Sequence, residues 1–141
     1  MRRGASLLEL VLVLVIIGIM LAIALPRVSA YADRLAVDRA ALDIVGAHRR
    51  ARITAILRSE VVELRVGSAE LSIQPRGDTT YLWRADGPAA TRVTLAGPIR
   101  TLTFSPVGIT NGLSNASFRL TRGAVTRTVV VSRLGRVRLV P

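Results

Sequence analysis

The chain has 141 residues and a formal net charge of +11, with 20 basic side chains, all of them Arg, against 9 acidic ones and no cysteine. That length holds one compact domain plus one extended element and leaves no room for a second catalytic domain. The missing thiols exclude a disulfide framework and a thiolate metal site. Half of the residues are hydrophobic but only 4% are aromatic, and much of the apolar content lies near the N-terminus instead of being spread through a core.

Met1 to Gly4 carries Arg2 and Arg3, and from Ala5 to Leu25 an apolar run follows that is broken only by Ser6 and Glu9. About 21 residues at 1.5 Å each give roughly 32 Å of helix, enough to cross the hydrocarbon core of a bilayer. The basic tetrapeptide is expected to stay cytoplasmic, leaving the remainder on the periplasmic or outer side. Three readings compete for the segment. A cleaved signal peptide fits the basic start and Ala30-Tyr31-Ala32 as a cleavage site, but the apolar stretch exceeds the usual h-region and holds a carboxylate. A plain anchor helix meets the same objection at Glu9, because a central charge costs about 2.5 to 3.5 kcal/mol on insertion scales. The third reading gives Glu9 a function, since an unexplained charge in a spanning helix is treated first as functional.

Beyond Pro26, which bends the helix without ending it, the pattern predicts an amphipathic continuation to Arg58. Leu35, Leu42, Val45, Ile53 and Ile56 recur mostly at helical steps, and Arg34/Asp38 and Arg39/Asp43 are i,i+4 pairs. Gly18 and Ala22 form a small-xxx-small pair. After Arg58 the period becomes alternating, predicting strands at 61–66, 71–74, 80–84, 92–95, 99–104, 116–120, 125–132 and 136–140, with hairpins at 66–69 and 122–124. A long helix followed by short antiparallel strands predicts an α+β architecture with the helix packed on a sheet face.

No catalytic constellation is expected. His48 is the single histidine and is expected on an exposed helix face, no Ser or Asp stands at a triad spacing, and the carboxylates lack calcium-loop spacing. Neither metal nor cofactor is expected. From Gly87 onward the chain has eight Arg (92, 100, 119, 122, 127, 133, 136 and 138) and no acidic residue, an asymmetry that suits a polyanion, an anionic headgroup or an acidic subunit; a generally basic surface is the equal alternative.

Gly4-Ala5-Ser6-Leu7-Leu8-Glu9, the apolar stretch to Leu25 and Pro26 together resemble the prepilin signature of type IV pilins and type II secretion pseudopilins. Phe104-Ser105-Pro106-Val107-Gly108, the strand around Phe118 to Leu120 and the stretch Thr128 to Arg138 resemble the GspH/FimT-like minor pseudopilin domain. The resemblance implies a type IV pilin-like fold divided into a leader at 1–4, a transmembrane half-helix at 5–26, an amphipathic half-helix at 27–58 and a β-rich periplasmic domain at 59–141. It further implies cleavage between Gly4 and Ala5 by prepilin peptidase, N-methylation of Ala5 (where the family usually has Phe), filament assembly through Glu9, and a helix kink at Pro26. The implied location is the bacterial inner membrane, single-pass, with other pilin-like subunits and an assembly platform as partners.

The implied function is a non-enzymatic one, as an initiation or tip subunit of a type II secretion pseudopilus. The alternative is a DNA-binding FimT-like minor pilin of a type IV pilus. For that alternative, Gly135-Arg136-Val137-Arg138 matches the basic element some relatives use, with Arg133 adjacent. Arg136 and Arg138, two apart on a strand, share a face that spans neighbouring phosphates. Charged side chains that guard a terminal edge strand from pairing are the competing explanation.

Overall fold

The computed structural model describes residues 6–111, 116–132 and 135–140. The chain divides into two compact units, Met1–Ala32 and Asp33–Pro141. A single helix, α1 (Leu7–Arg58), supplies the described structure of the first unit and enters the second.

In the first unit every described residue is exposed. No neighbour lies within 4 Å of a Cβ built on Gly18. The helix runs on through Pro26, whose missing N–H removes one helical bond, and the Ser29 hydroxyl donates to the Pro26 carbonyl at 3.0 Å. Among the described residues this is the one helix long and apolar enough to cross a membrane.

Among its described residues the second unit adds nine strands: β1 (Val62–Val66), β2 (Glu70–Pro75), β3 (Trp83–Asp86), β4 (Thr94–Ala96), β5 (Arg100–Phe104), β6 (Thr110–Asn111), β7 (Ala116–Arg122), β8 (Val125–Val131) and β9 (Val137–Val140). They form two antiparallel sheets, ordered β3-β2-β1-β5-β6 and β4-β7-β8-β9, where the sequence pattern anticipated one sheet face. Both expected hairpins are present: Val66 pairs with Leu71 across the first, and Arg122 with Val125 across the second. Gly123 takes φ +56, and a Cβ there falls on the Asp33 carboxylate, so glycine suits both the turn and the close approach.

Two strand positions differ from expectation, for local reasons. Residues 80–82 stay out of β3 because the Asp78 carboxylate accepts from both the N–H and the hydroxyl of Thr80 at 3.0 Å, and Gln74 Nε2 donates to the Thr79 carbonyl; together they hold a turn. Residues 92 and 93 stay out of β4 because Pro88–Thr91 forms a 3₁₀ turn that ends on Arg92 in the left-handed region. The short β6 was not anticipated.

The core shows why the helix enters the domain where it does. Its buried positions are Val37, Ala40, Ala41, Ile44, Ala47, His48, Ala51 and Ala55, a stripe at helical spacing dominated by alanine. Small side chains let the helix backbone approach Val62, Leu64, Leu71, Ile73, Leu102 and Phe104 of the first sheet and Phe118, Leu120, Val129 and Val131 of the second, all in one cluster. Burial of each large aliphatic or aromatic side chain contributes about 1.5–3 kcal/mol.

Of the expected apolar stripe only Val45 packs against this core. Leu35, Leu42 and Ile53 are 60%, 63% and 55% exposed, and Ile56 is exposed as well. At 100° per residue, Leu35, Leu42 and Ile53 fall within about 20° of one another and roughly 180° from Ile44. This half of the helix therefore has two opposed apolar faces: one of alanines, buried, and one of large aliphatics, turned outward.

Candidate functional site

Ser6 to Ala32 present only exposed side chains, almost all apolar, with Glu9 in the first helical turn. An acidic side chain there is favoured by the unsatisfied N–H groups and the dipole of the helix start. Gly4 and Ala5, the expected cleavage pair, lie outside the described residues, as does Arg133.

At the other end of the chain, β8 and β9 are neighbours in antiparallel register, with Val130 opposite Arg138 and Val131 opposite Val137. The connection between them is closed by backbone bonds: Gly135 N–H donates to the Ser132 carbonyl and Ser132 N–H to that of Arg136, both at 2.9 Å, while Arg136 N–H donates to the Ser132 hydroxyl at 3.1 Å. Gly135 takes φ +72 in this turn. The turn holds Arg136 beside β9, and both Arg136 and Arg138 line one open groove of about 660 Å³, together with Val130, Ser132, Gly135 and Arg52 of α1. The two expected arginines are thus brought to one place. Because β9 is also an edge strand of its sheet, the edge-guarding explanation is geometrically met at the same residues.

Arg52 escapes sequence reasoning because its spacing from Arg136 and Arg138 is created by the tertiary fold. It lies beside the Ser105–Ile109 turn, where Ser105 N–H donates to the Ile109 carbonyl and Gly108 N–H to that of Ser105, each at 2.8 Å. Gly108 has φ +76, and a Cβ there would stand 2.7 Å from Ile56 Cδ1 and 3.2 Å from Arg52 Nε. The guanidinium lies against a glycine that leaves it room.

Charge is partitioned among the arginines. Arg122 pairs with Asp33 at 2.8 Å and Arg127 with Asp38 at 2.9 Å, tying the β7–β8 hairpin to acids of the helix. Other pairs join Arg58 to Glu60, Arg76 to Glu63 and Arg84 to Glu70. Among the described residues no ion pair engages Arg52, Arg136 or Arg138. The acid-free C-terminal half therefore sends Arg122 and Arg127 back to the helix and leaves the groove positive.

His48 is 2% exposed, contrary to the expectation of an exposed helix face. It occupies the alanine-rich stripe and meets Phe104 edge-on, ring centroids 5.0 Å apart; its Nε2 has no hydrogen-bond partner. Desolvation, reinforced by Arg52 and Arg49, lowers its pKa from 6.5 to about 4, so the ring is neutral at pH 7. It belongs to the core. Trp83 is half-buried with the Arg50 guanidinium 5.2 Å from its ring centroid, a cation–π contact. No group of three or more metal-ligating side chains occurs among the described residues.

A membrane-length apolar helix leading into an alanine-packed antiparallel domain defines the class as type IV pilin-like. Residues 40–135 match the family model of the type II transport protein GspH, and the chain belongs to that family. It is 37% identical to the pilin-like protein PilA1 of Thermus thermophilus, over 98% of both chains. Two crystal structures of the Pseudomonas aeruginosa PAO1 type IV minor pilin FimU share its fold. One aligns with TM-score 0.62 and 20% identity over 79% of this chain and 92% of FimU, the other with TM-score 0.58 and 19% identity over 74% and 92%.

Proposed function

We propose that this chain is a minor, non-enzymatic subunit of a pilin-like filament. It would be inserted in the inner membrane through residues 5–26, with residues 59–141 in the periplasm, cut between Gly4 and Ala5, methylated on Ala5 and drawn into the filament by its helix. The observation that carries this reading is the exposed apolar stretch of residues 6–32, in which Glu9 is the one carboxylate. In a packed bundle of such helices the apolar surface is covered, and the Glu9 charge takes a neighbour's terminal amine, since an unpaired buried charge is strongly destabilising. The outward stripe of Leu35, Leu42 and Ile53 extends helix-to-helix contact into the periplasmic half. Glu9→Leu should leave insertion and cleavage intact while crosslinking to partner pilin-like subunits falls at least tenfold. Crosslinking at the wild-type level would remove Glu9 from the assembly mechanism.

Of the two settings the family offers, a type II secretion pseudopilus and a type IV pilus that handles DNA, the positive groove favours the second. Arg136 and Arg138 line it without carboxylate partners among the described residues, and unpaired guanidiniums suit phosphates. Binding by two such residues predicts sequence-independent affinity for duplex DNA that weakens with salt at a log-log slope of about 1.8. A salt-insensitive affinity, or none at low salt, would return the chain to the secretion setting.

A further inference from the structure

We infer that Arg52 of α1 is a third phosphate-contacting residue, so that the nucleic-acid track passes from the C-terminal strand onto the helix. The inference rests on the DNA reading of the groove. Its ground is the meeting of two elements far apart in the chain: Arg52, Arg136 and Arg138 line the same groove, and among the described residues none of the three forms an ion pair with a carboxylate. Three unneutralised guanidiniums around one concavity of about 660 Å³ repel one another and gain from a shared polyanion.

Arg52 lies beside the turn at Gly108, where a Cβ would stand 3.2 Å from its Nε, and that turn is held by the Ser105 and Gly108 backbone bonds. Arg122 and Arg127 do not extend the site, because they pair with Asp33 and Asp38, several helical turns before Arg52 on α1. A backbone laid on Arg136 and Arg138 alone would follow β9, whereas contact with Arg52 turns it across the gap between β9 and α1. Phosphate contacts of this kind fix the orientation of a duplex and carry no sequence information.

The test uses the full-length chain in nonionic detergent and a short duplex, with fluorescence anisotropy over a series of NaCl concentrations. The variants are R52Q, the double variant R136Q/R138Q, the triple variant, and R65Q, whose exposed side chain on β1 stands outside the groove. R52Q should reduce the log-log slope by about 0.9, the double variant by about 1.8 and the triple by about 2.7, with circular dichroism unchanged and R65Q keeping its groove intact and losing less than a third of the R52Q effect. If the double variant lowers the slope and R52Q leaves it at the wild-type value, Arg52 is outside the track and the DNA reading survives. Equal losses from R52Q and R65Q mean bulk charge and overturn the inference. If no variant changes the slope, both the inference and the DNA reading fall.

Discussion

The burial of His48 makes a quantitative prediction about pH. The folded state holds its pKa near 4, against 6.5 in the unfolded chain, so over that interval the unfolded state binds more protons and stability must fall as the solution is acidified. The contribution is fully present above pH 6.5 and is lost progressively down to about pH 4. The full difference is about 3 kcal/mol, of which about 2 kcal/mol has gone by pH 5. Carboxylates titrate in the lower part of the same range, so the measurement is a difference between two proteins. Urea unfolding of residues 33–141, the compact second unit, should be followed at pH 7.5, 6 and 5 for wild type and for His48→Met, which fills a similar space without a titrating group. Wild type should lose about 2 kcal/mol more than the variant between pH 7.5 and pH 5. Parallel pH profiles for the two would refute the claim that His48 is held neutral by its surroundings.

Packing supplies two further predictions. A Cβ at Gly87 would overlap the Ser68 carbonyl oxygen and stand 2.6 Å from the Glu70 nitrogen and 2.7 Å from the Ala69 carbonyl carbon. These are backbone atoms that cannot swing aside, so Gly87→Ala should destabilise the domain by about 1–3 kcal/mol, seen as a lower urea midpoint with an unchanged m-value. Phe104, fully buried and edge-on to His48, should cost about 3–5 kcal/mol when cut to Ala; a loss under 1 kcal/mol would mean that the two sheets do not share the core described.

Much of this fold is legible in the residues because the helix and the strands have different periods. The long apolar run and the i,i+4 charge pairs locate α1, and alternation with glycine turns locates both hairpins. The misreading concerns which face of the helix is buried. Counting large apolar side chains selects Leu35, Leu42 and Ile53, whereas the interior takes alanines at 40, 41, 47, 51 and 55, since a helix approaching two sheets needs small residues. The same error hid His48, a polar residue on a stripe that does not look hydrophobic. The large aliphatics left outside suit the helix-to-helix contact proposed for the filament. At the C-terminal site the Arg136/Arg138 pair is visible as a local spacing. Arg52 is not, because only the tertiary fold brings α1 to the groove. Nor does sequence tell that Arg127, which looks like a further phosphate contact, is neutralised by Asp38 across the fold.

The most direct test of the central claim is intact-mass spectrometry of the protein recovered from sheared surface filaments and from membranes of the same cells. The filament fraction should contain this chain as a minor component beginning at Ala5, with uncut chain confined to the membrane fraction. A mature chain beginning at Tyr31 or Asp33, or uncut chain in the filaments, would contradict it.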